Sequence, residues 1–181
     1  MKKTPLKHLI FNAQAAILIA ILAQFTLPLG PIPLTGQTFA VGLIATLLSP
    51  KNATQALLLY WLLGLIGLPV FAGGSSGLPV FLGPTGGYLL GFLLTTLITA
   101  SLLHNNSITF FKASYANCLG ALATLLVGTI WLKYQTSQPW DIAIKIGFYP
   151  FIIPGIIKAI GAGILGLTVK KRLEKAKIFL N

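Results

Sequence analysis

The sequence predicts an all-α integral membrane protein of six transmembrane helices with both termini cytoplasmic. Three observations lead there. Residues 8–50 and 52–111 contain no Lys, Arg, Asp or Glu. Only 8% of the 181 residues are charged, against about a quarter in a soluble domain, and mean hydropathy is +0.86. No water-facing surface can be built from such a chain. Glycine- and proline-rich breakers then divide it into helix-length apolar runs.

The first span is expected at 9–27, behind Lys2, Lys3 and Lys7. A basic start and an apolar core also fit a signal peptide, but this run approaches a full span and reads as a retained helix. Ala16 and Ala20 form an A-x-x-x-A pair on it, a spacing that lets helices approach closely, most often inside a bundle. "PLGPIP" (28–33) ends the span. The second, 36–49, is short for a ~30 Å core, so the residues before it are expected to dip into protein rather than lipid. "SPKN" (49–52) introduces the third, 53–68. The stretch 67–91, "GLPVFAGGSSGLPVFLGPTGGYLLG", follows with eight glycines, three prolines and no charge. The remaining spans are expected at 86–103, 113–132 and 148–169, separated by "HNNS" (104–107) and "YQTSQPWD" (134–141). No stretch is left for a soluble domain, so 1–181 reads as a single transmembrane domain.

The net charge of +11 invites a nucleic-acid reading, but the cations flank apolar spans, where they fix topology and meet anionic lipid. With both termini inside, eight terminal cations (Lys2, Lys3, Lys7, Lys170, Lys171, Arg172, Lys175, Lys177) join Lys51 and Lys112 on the cytoplasmic side. Only Lys133 and Lys145 face out, and Lys158 lies within a span. Ten against two sets the orientation and puts 28–35, 69–85 and 133–147 outside. Trp131, Tyr134 and Trp140 fit an outer aromatic belt.

Several activities are excluded. No G-x-x-x-x-G-K-[ST] occurs, so no nucleotide phosphate cradle is present. Asp141 and Glu174 are the only acids and both lie outside the spans, which removes a carboxylate proton relay. His8 and His104 read as solvated flank residues at cytoplasmic ends, the lone Cys118 can form no intrachain disulfide, and no metal or nucleophile set is evident.

Lys158 stands apart. It sits in "YPFIIPGIIKAIGAGILGL", a span without an acid, 12 residues before Lys170. That is about 18 Å of helix, too far to snorkel to the cytoplasmic face. Outward snorkelling is the bland alternative. Intramembrane ionisable residues usually face a cavity, and with no membrane carboxylate available the expected partner is an anionic solute entering from outside. Pro150, Pro154 and Gly155 interrupt the start of this span, and Pro154 is expected to open a helix whose free N–H groups add donors. Irregular backbone at membrane depth is tolerated where it lines a cavity or packs on protein, and 28–39 and 67–91 both fit. There Thr35, Gln37, Thr38, Thr85 and Tyr88 offer hydrogen bonds, and Trp61, Phe71 and Phe81 offer flat apolar faces; packing and backbone caps are the plain alternative for each.

These residues resemble the BioY biotin transporters, the substrate-binding (S) components of energy-coupling-factor (ECF) systems. The resemblance covers nearly the whole chain. It rests on "PLGPIPLTGQTFAV" (28–41), "LLLYWLLGLIGLPVFAGG" (57–74), "GPTGGYLLGF" (83–92) and "YPFIIPGIIKA" (149–159). It implies six helices that capture biotin from outside under the first and third connections, with no catalytic activity and no cofactor, biotin being cargo. It implies a bacterial cytoplasmic-membrane protein working with a transmembrane coupling subunit and two ATP-hydrolysing subunits, or in a solitary mode. Lys158, Gly155, Phe71, Gly73, Gly74, Thr35, Gln37, Thr85 and Tyr88 are the implied binding residues; Ala16 and Ala20 look like the family motif that docks the coupling subunit. One departure stands out. The family's sixth helix pairs an Asp with the Lys; here Gly155, or on the other alignment Ile156, occupies the place of the acid.

Two other readings share these features. An S component for a different small anionic vitamin is expected to bind that vitamin in preference to biotin, and a pure assembly subunit is expected to bind no small molecule. A membrane-embedded enzyme fits worst, because the spans lack a carboxylate or metal set. The 69–85 connection is expected to act as a lid that orders on binding.

Overall fold

The computed structural model describes residues 5–104 and 108–176. Lys2, Lys3, Lys177 and residues 105–107 of the "HNNS" breaker lie outside it. The elements run α1 Pro5–Ala23, a two-stranded hairpin β1 Thr26–Leu27 and β2 Leu34–Thr35, α2 Gln37–Leu47, α3 Pro50–Leu65, a 3-10 turn Ala72–Gly74, α4 Leu78–Leu82, α5 Gly86–His104, α6 Phe110–Thr136, α7 Trp140–Gly147 and α8 Tyr149–Lys175. The six expected spans correspond to α1, α2, α3, α5, α6 and α8, with ends shifted by a few residues. Among the described residues, four stretches are long and apolar enough to cross a membrane: α1, α5, α6 and the α7–α8 stretch. At 11 and 16 residues, α2 and α3 are shorter than the ~20 residues a full span needs.

Local chemistry sets the ends. Ser49 caps α3 by accepting from the Asn52 N–H, with Pro50 in the first turn where its missing N–H costs nothing. Thr109 caps α6 in the same way through the Lys112 N–H at 3.2 Å. Asp141 in the first turn and Lys145 in the last turn of α7 complement its dipole. This helix was expected to be a plain connection. Ala143, Ile146 and Gly147 recur at helical spacing and turn inward, and that pattern makes 140–147 a short amphipathic helix.

The helix α2 is central, packing on α8, α5, α1, α6 and α3. It is accordingly buried almost all round, from Ala40 through Thr46. Lipid is as apolar as leucine, so helix association here depends on close packing and interhelical hydrogen bonds rather than on expulsion of water. The most extensive contact, α5 on α6, shows both. Gly91 brings α5 so close that an added Cβ would stand 2.8 Å from the Thr124 Cα. The Thr95 hydroxyl donates to the Gly120 carbonyl at 2.7 Å and lies 2.6 Å from the Thr124 hydroxyl, and Thr99 reaches the Ala116 carbonyl at 3.1 Å. On the α8 side, a Cβ at Gly163 would meet the Ser114 N at 2.7 Å.

Ala16, expected with Ala20 to dock the coupling subunit, is 0% exposed within the bundle's own core, and the half-buried Ala20 packs against the same core. The helix α1 that carries this spacing packs on α3 and α2.

Candidate functional site

Opposite the end that gathers His8, Lys51, Asn52 and His104, the bundle surrounds a cavity of about 70 Å³, tighter than the ~300–1,000 Å³ typical of small-molecule sites. Ile32 to Thr35 of the hairpin segment, Gln37 and Thr38 of α2, and Phe71, Ala72, Val80 and Thr85 of the connection close it on one side. Tyr88, Leu89 and Phe92 of α5, Ala121, Thr124 and Leu125 of α6, and Phe151, Gly155 and Lys158 of α8 complete it. Residues 28–39 and 67–91, singled out as irregular backbone, therefore meet over one cavity.

The covering connection is built rather than merely irregular. Gly77 N–H bonds the Gly64 carbonyl at 2.8 Å, Phe71 N–H bonds Ser75 O at 3.0 Å, and the Trp131 indole donates to Gly83 O at 2.9 Å. Trp131, expected in an aromatic belt, ties the cover to α6. Phe71 is fully buried, edge-on to Tyr60 at 5.4 Å and to Phe81 at 5.6 Å, while Phe81 meets Trp61 at 5.4 Å. The repeated Gly-Leu-Pro-Val-Phe thus delivers two phenylalanines to one cluster. The first copy's ring lies so close to Gly64 that any Cβ there would strike it. Gly73 and Gly74 take positive φ of 63° and 77°, the left-handed turn that glycine enters without strain. They do not line the cavity: their nearest neighbours are Thr26 and Gln24, and the turn they make sets Phe71 and Ala72 against it.

Most polar groups at the site already have protein partners. The Thr35 hydroxyl donates to the Gln37 side-chain oxygen at 2.9 Å, and the Gln37 amide donates to the Tyr60 hydroxyl at 2.5 Å. The Tyr88 hydroxyl donates to the Gly147 carbonyl at 2.7 Å, locking α5 to the end of α7, and Thr85 donates to Val80 O at 3.3 Å. Tyr88 and Thr85 therefore shape the wall, and their hydroxyls are engaged elsewhere. Tyr60, beneath Gln37, was not singled out in the sequence because nothing about an apolar-run tyrosine marks it.

Lys158 keeps a free side. Its Nζ donates to the Thr35 carbonyl at 3.0 Å, and an ammonium has three donors. It does not run outward to the lipid headgroups; it bridges α8 to the hairpin at the cavity wall. Pro154 does not open a helix as expected. Since α8 starts at Tyr149 and runs through it, Pro154 deprives the Pro150 carbonyl of its helical donor and offers no cluster of N–H groups. Gly155, one turn before Lys158, lines the cavity, and a Cβ there would touch only Leu125 at 4.0 Å. Ile156 points away and is 47% exposed, so Gly155 is the residue on the cavity face. No acidic residue lines the cavity. Among the described residues no group of His, Cys, Asp and Glu is placed to hold a metal.

Comparison with known proteins agrees with this geometry. The chain is 44% identical to biotin transporter BioY2 of Lactococcus lactis subsp. cremoris over the full length of both. It is 38% identical to biotin transporter BioY of Thermotoga maritima, over 85% of this chain and 90% of that one. Its structure superimposes on the crystal structure of an S-component for biotin from an ECF-type ABC transporter with a TM-score of 0.87 and 30% identity, over 94% of each chain. The model of the BioY family matches residues 1–175, and the chain belongs to that family.

Proposed function

We propose that the chain captures biotin at this cavity, from outside a bacterial cytoplasmic membrane, as the substrate-binding subunit of an ECF transporter. It is a transport protein and not an enzyme, as its family and relatives are. The observation that carries the reading is an enclosed apolar cavity with a single ammonium on its wall, in a fold shared with an S-component for biotin. Biotin suits both parts. Its fused rings present compact apolar faces to Phe71, Phe92 and Phe151, and its oxygens accept from the Lys158 ammonium.

Both termini are cytoplasmic in this reading, which the ten-to-two cation distribution supports. That orientation turns the cavity and its cover outward. The short α2 and α3 complete six crossings, with hairpin and cover residues filling the remaining depth. The site works with Phe71, Thr35, Gln37, Tyr88, Thr85 and Gly155 as walls and with Gly73 and Gly74 as the turn of the cover. With no phosphate cradle in the chain, energy comes from partners: a transmembrane coupling subunit and two ATPase subunits. A second reading, another small anionic vitamin as cargo, draws on Gly155, because the cavity lacks an acid to fix a cyclic urea.

Uptake of labelled biotin by cells carrying the chain with the coupling and ATPase subunits, or without them, tests the proposal. Uptake that needs the partners and resists an excess of other anionic vitamins supports it. No biotin-dependent signal in either cell, or displacement by another vitamin at lower concentration than biotin, overturns it.

A further inference from the structure

An ammonium on a flexible four-carbon stem binds cargo best when something holds it in place before the cargo arrives. Among the described residues, the Lys158 Nζ has one acceptor, the Thr35 carbonyl at 3.0 Å. Thr35 ends a two-residue strand that follows the exposed turn 28–31, and a hairpin that short is marginal by itself. Gln37 adds the missing support. Its backbone N–H donates to the Thr35 hydroxyl at 3.2 Å, and that hydroxyl donates to the Gln37 side-chain oxygen at 2.9 Å. The Gln37 amide nitrogen in turn donates to the Tyr60 hydroxyl at 2.5 Å. Tyr60 is 0% exposed on α3, with its ring edge-on to Phe71, and it does not line the cavity. One hydrogen-bonded chain therefore runs from α3, through the start of α2 and the hairpin, to the ammonium on α8.

We infer that Tyr60 is a positioning residue for Lys158: its hydroxyl, acting through Gln37 and Thr35, fixes where the ammonium stands when cargo meets it. Tyr88, the tyrosine of the cavity wall, directs its hydroxyl to the Gly147 carbonyl instead. Removing the Tyr60 hydroxyl takes an acceptor from the Gln37 amide, which is 5% exposed and has little water to replace it. The Gln37 side chain is then free to turn. That loosens Thr35, and with it the ammonium. The cost appears at Lys158, although Tyr60 itself touches no cargo.

The inference rests on the proposed binding of biotin at Lys158, and two measurements keep the two apart. The first needs no ligand. Full-length chain with isotope-labelled lysine Cε carbons is compared by NMR in detergent as wild type and Tyr60→Phe, the Lys158 signal being assigned by its loss in Lys158→Met. Phenylalanine keeps the ring and removes only the hydroxyl. A Lys158 signal that moves by more than its linewidth, while the other lysine signals stay in place, supports the relay; an unmoved signal overturns it. The second is a double-mutant cycle in labelled-biotin affinity over wild type, Tyr60→Phe, Lys158→Met and the double variant. Tyr60→Phe should lose about 3- to 30-fold alone and less than about twofold when added to Lys158→Met. Equal losses in the two backgrounds overturn the inference, because a merely structural hydroxyl, or one acting on Gln37 alone, costs the same without Lys158. Wild-type affinity of Tyr60→Phe overturns it as well, and so does a Tyr60→Phe chain that fails to fold. If Lys158→Met binds too weakly to titrate, the NMR comparison decides. A wild type that binds no biotin defeats the proposed cargo instead, and leaves the relay to be judged by the Lys158 signal.

Discussion

The helix seams and the cavity wall handle polar groups in opposite ways. Along α5 and α6, Thr95, Thr99 and Thr124 direct their hydroxyls to each other or to backbone carbonyls, and glycines bring the chains together until no Cβ fits. At the cavity, Thr38 has no partner and Lys158 has one carbonyl for three donors. Both regions are threonine- and glycine-rich in sequence and uncharged apart from one lysine. Within a bundle like this, composition alone does not separate scaffold from site; the contacts of each polar group must be read one by one.

Substitutions on the two sides sharpen that contrast. The largest effect is expected in the seams. Gly163→Val forces a side chain against the Ser114 and Ala113 backbone, which cannot move as a flexible side chain can, and should cost about 3 kcal/mol by overpacking. Melting in detergent is expected to show a sharp fall or little folded monomer; an unchanged melt would mean that α6 and α8 are not packed this closely. Tyr88→Phe lies between the regions, since its ring faces the cavity and its hydroxyl holds Gly147. Removing the hydroxyl leaves a buried carbonyl without its donor and should cost about 1–2 kcal/mol of stability. Biotin affinity should move less than that, and a large affinity loss with an unchanged melt would assign the hydroxyl to the ligand instead. Gly155→Ala should do least. Its Cβ enters open space at the wall, so affinity is expected within about threefold of wild type, and alanine favours the helix. A complete loss of binding would show that cargo packs directly on the Gly155 Cα.

Much of this was legible in the residues. The charge-free runs marked the helices, because a long stretch without a charge has no soluble use, and the uncharged Gly/Pro stretches marked the walls of a cavity, because irregular backbone needs protein around it in a membrane. Lys158 was legible for the same reason: a lone cation too deep to snorkel inward. What stayed hidden depended on contacts between distant segments. The engagement of Tyr88 with Gly147 and of Trp131 with Gly83, 59 and 48 residues apart, leaves no local trace. The A-x-x-x-A pair reads identically whether it faces a partner or the bundle, and only packing placed Ala16 inside. Pro154 looked like a helix start because proline favours that position, yet four apolar residues and Pro150 before it carry the helix one turn further back. The helix α7 was readable and missed, since Ala143, Ile146 and Gly147 have helical spacing under a loop-like composition.

Equilibrium binding of labelled biotin to purified wild type and Lys158→Met chain, with melting of both, bears most directly on the cavity as a biotin site. Methionine fills much of the lysine's volume and removes its charge. Wild-type binding of one biotin per chain, a loss of at least about 30-fold in the variant and closely matched melting temperatures are the expected results. Equal affinity of the two chains, or no saturable binding by the wild type, would contradict the account.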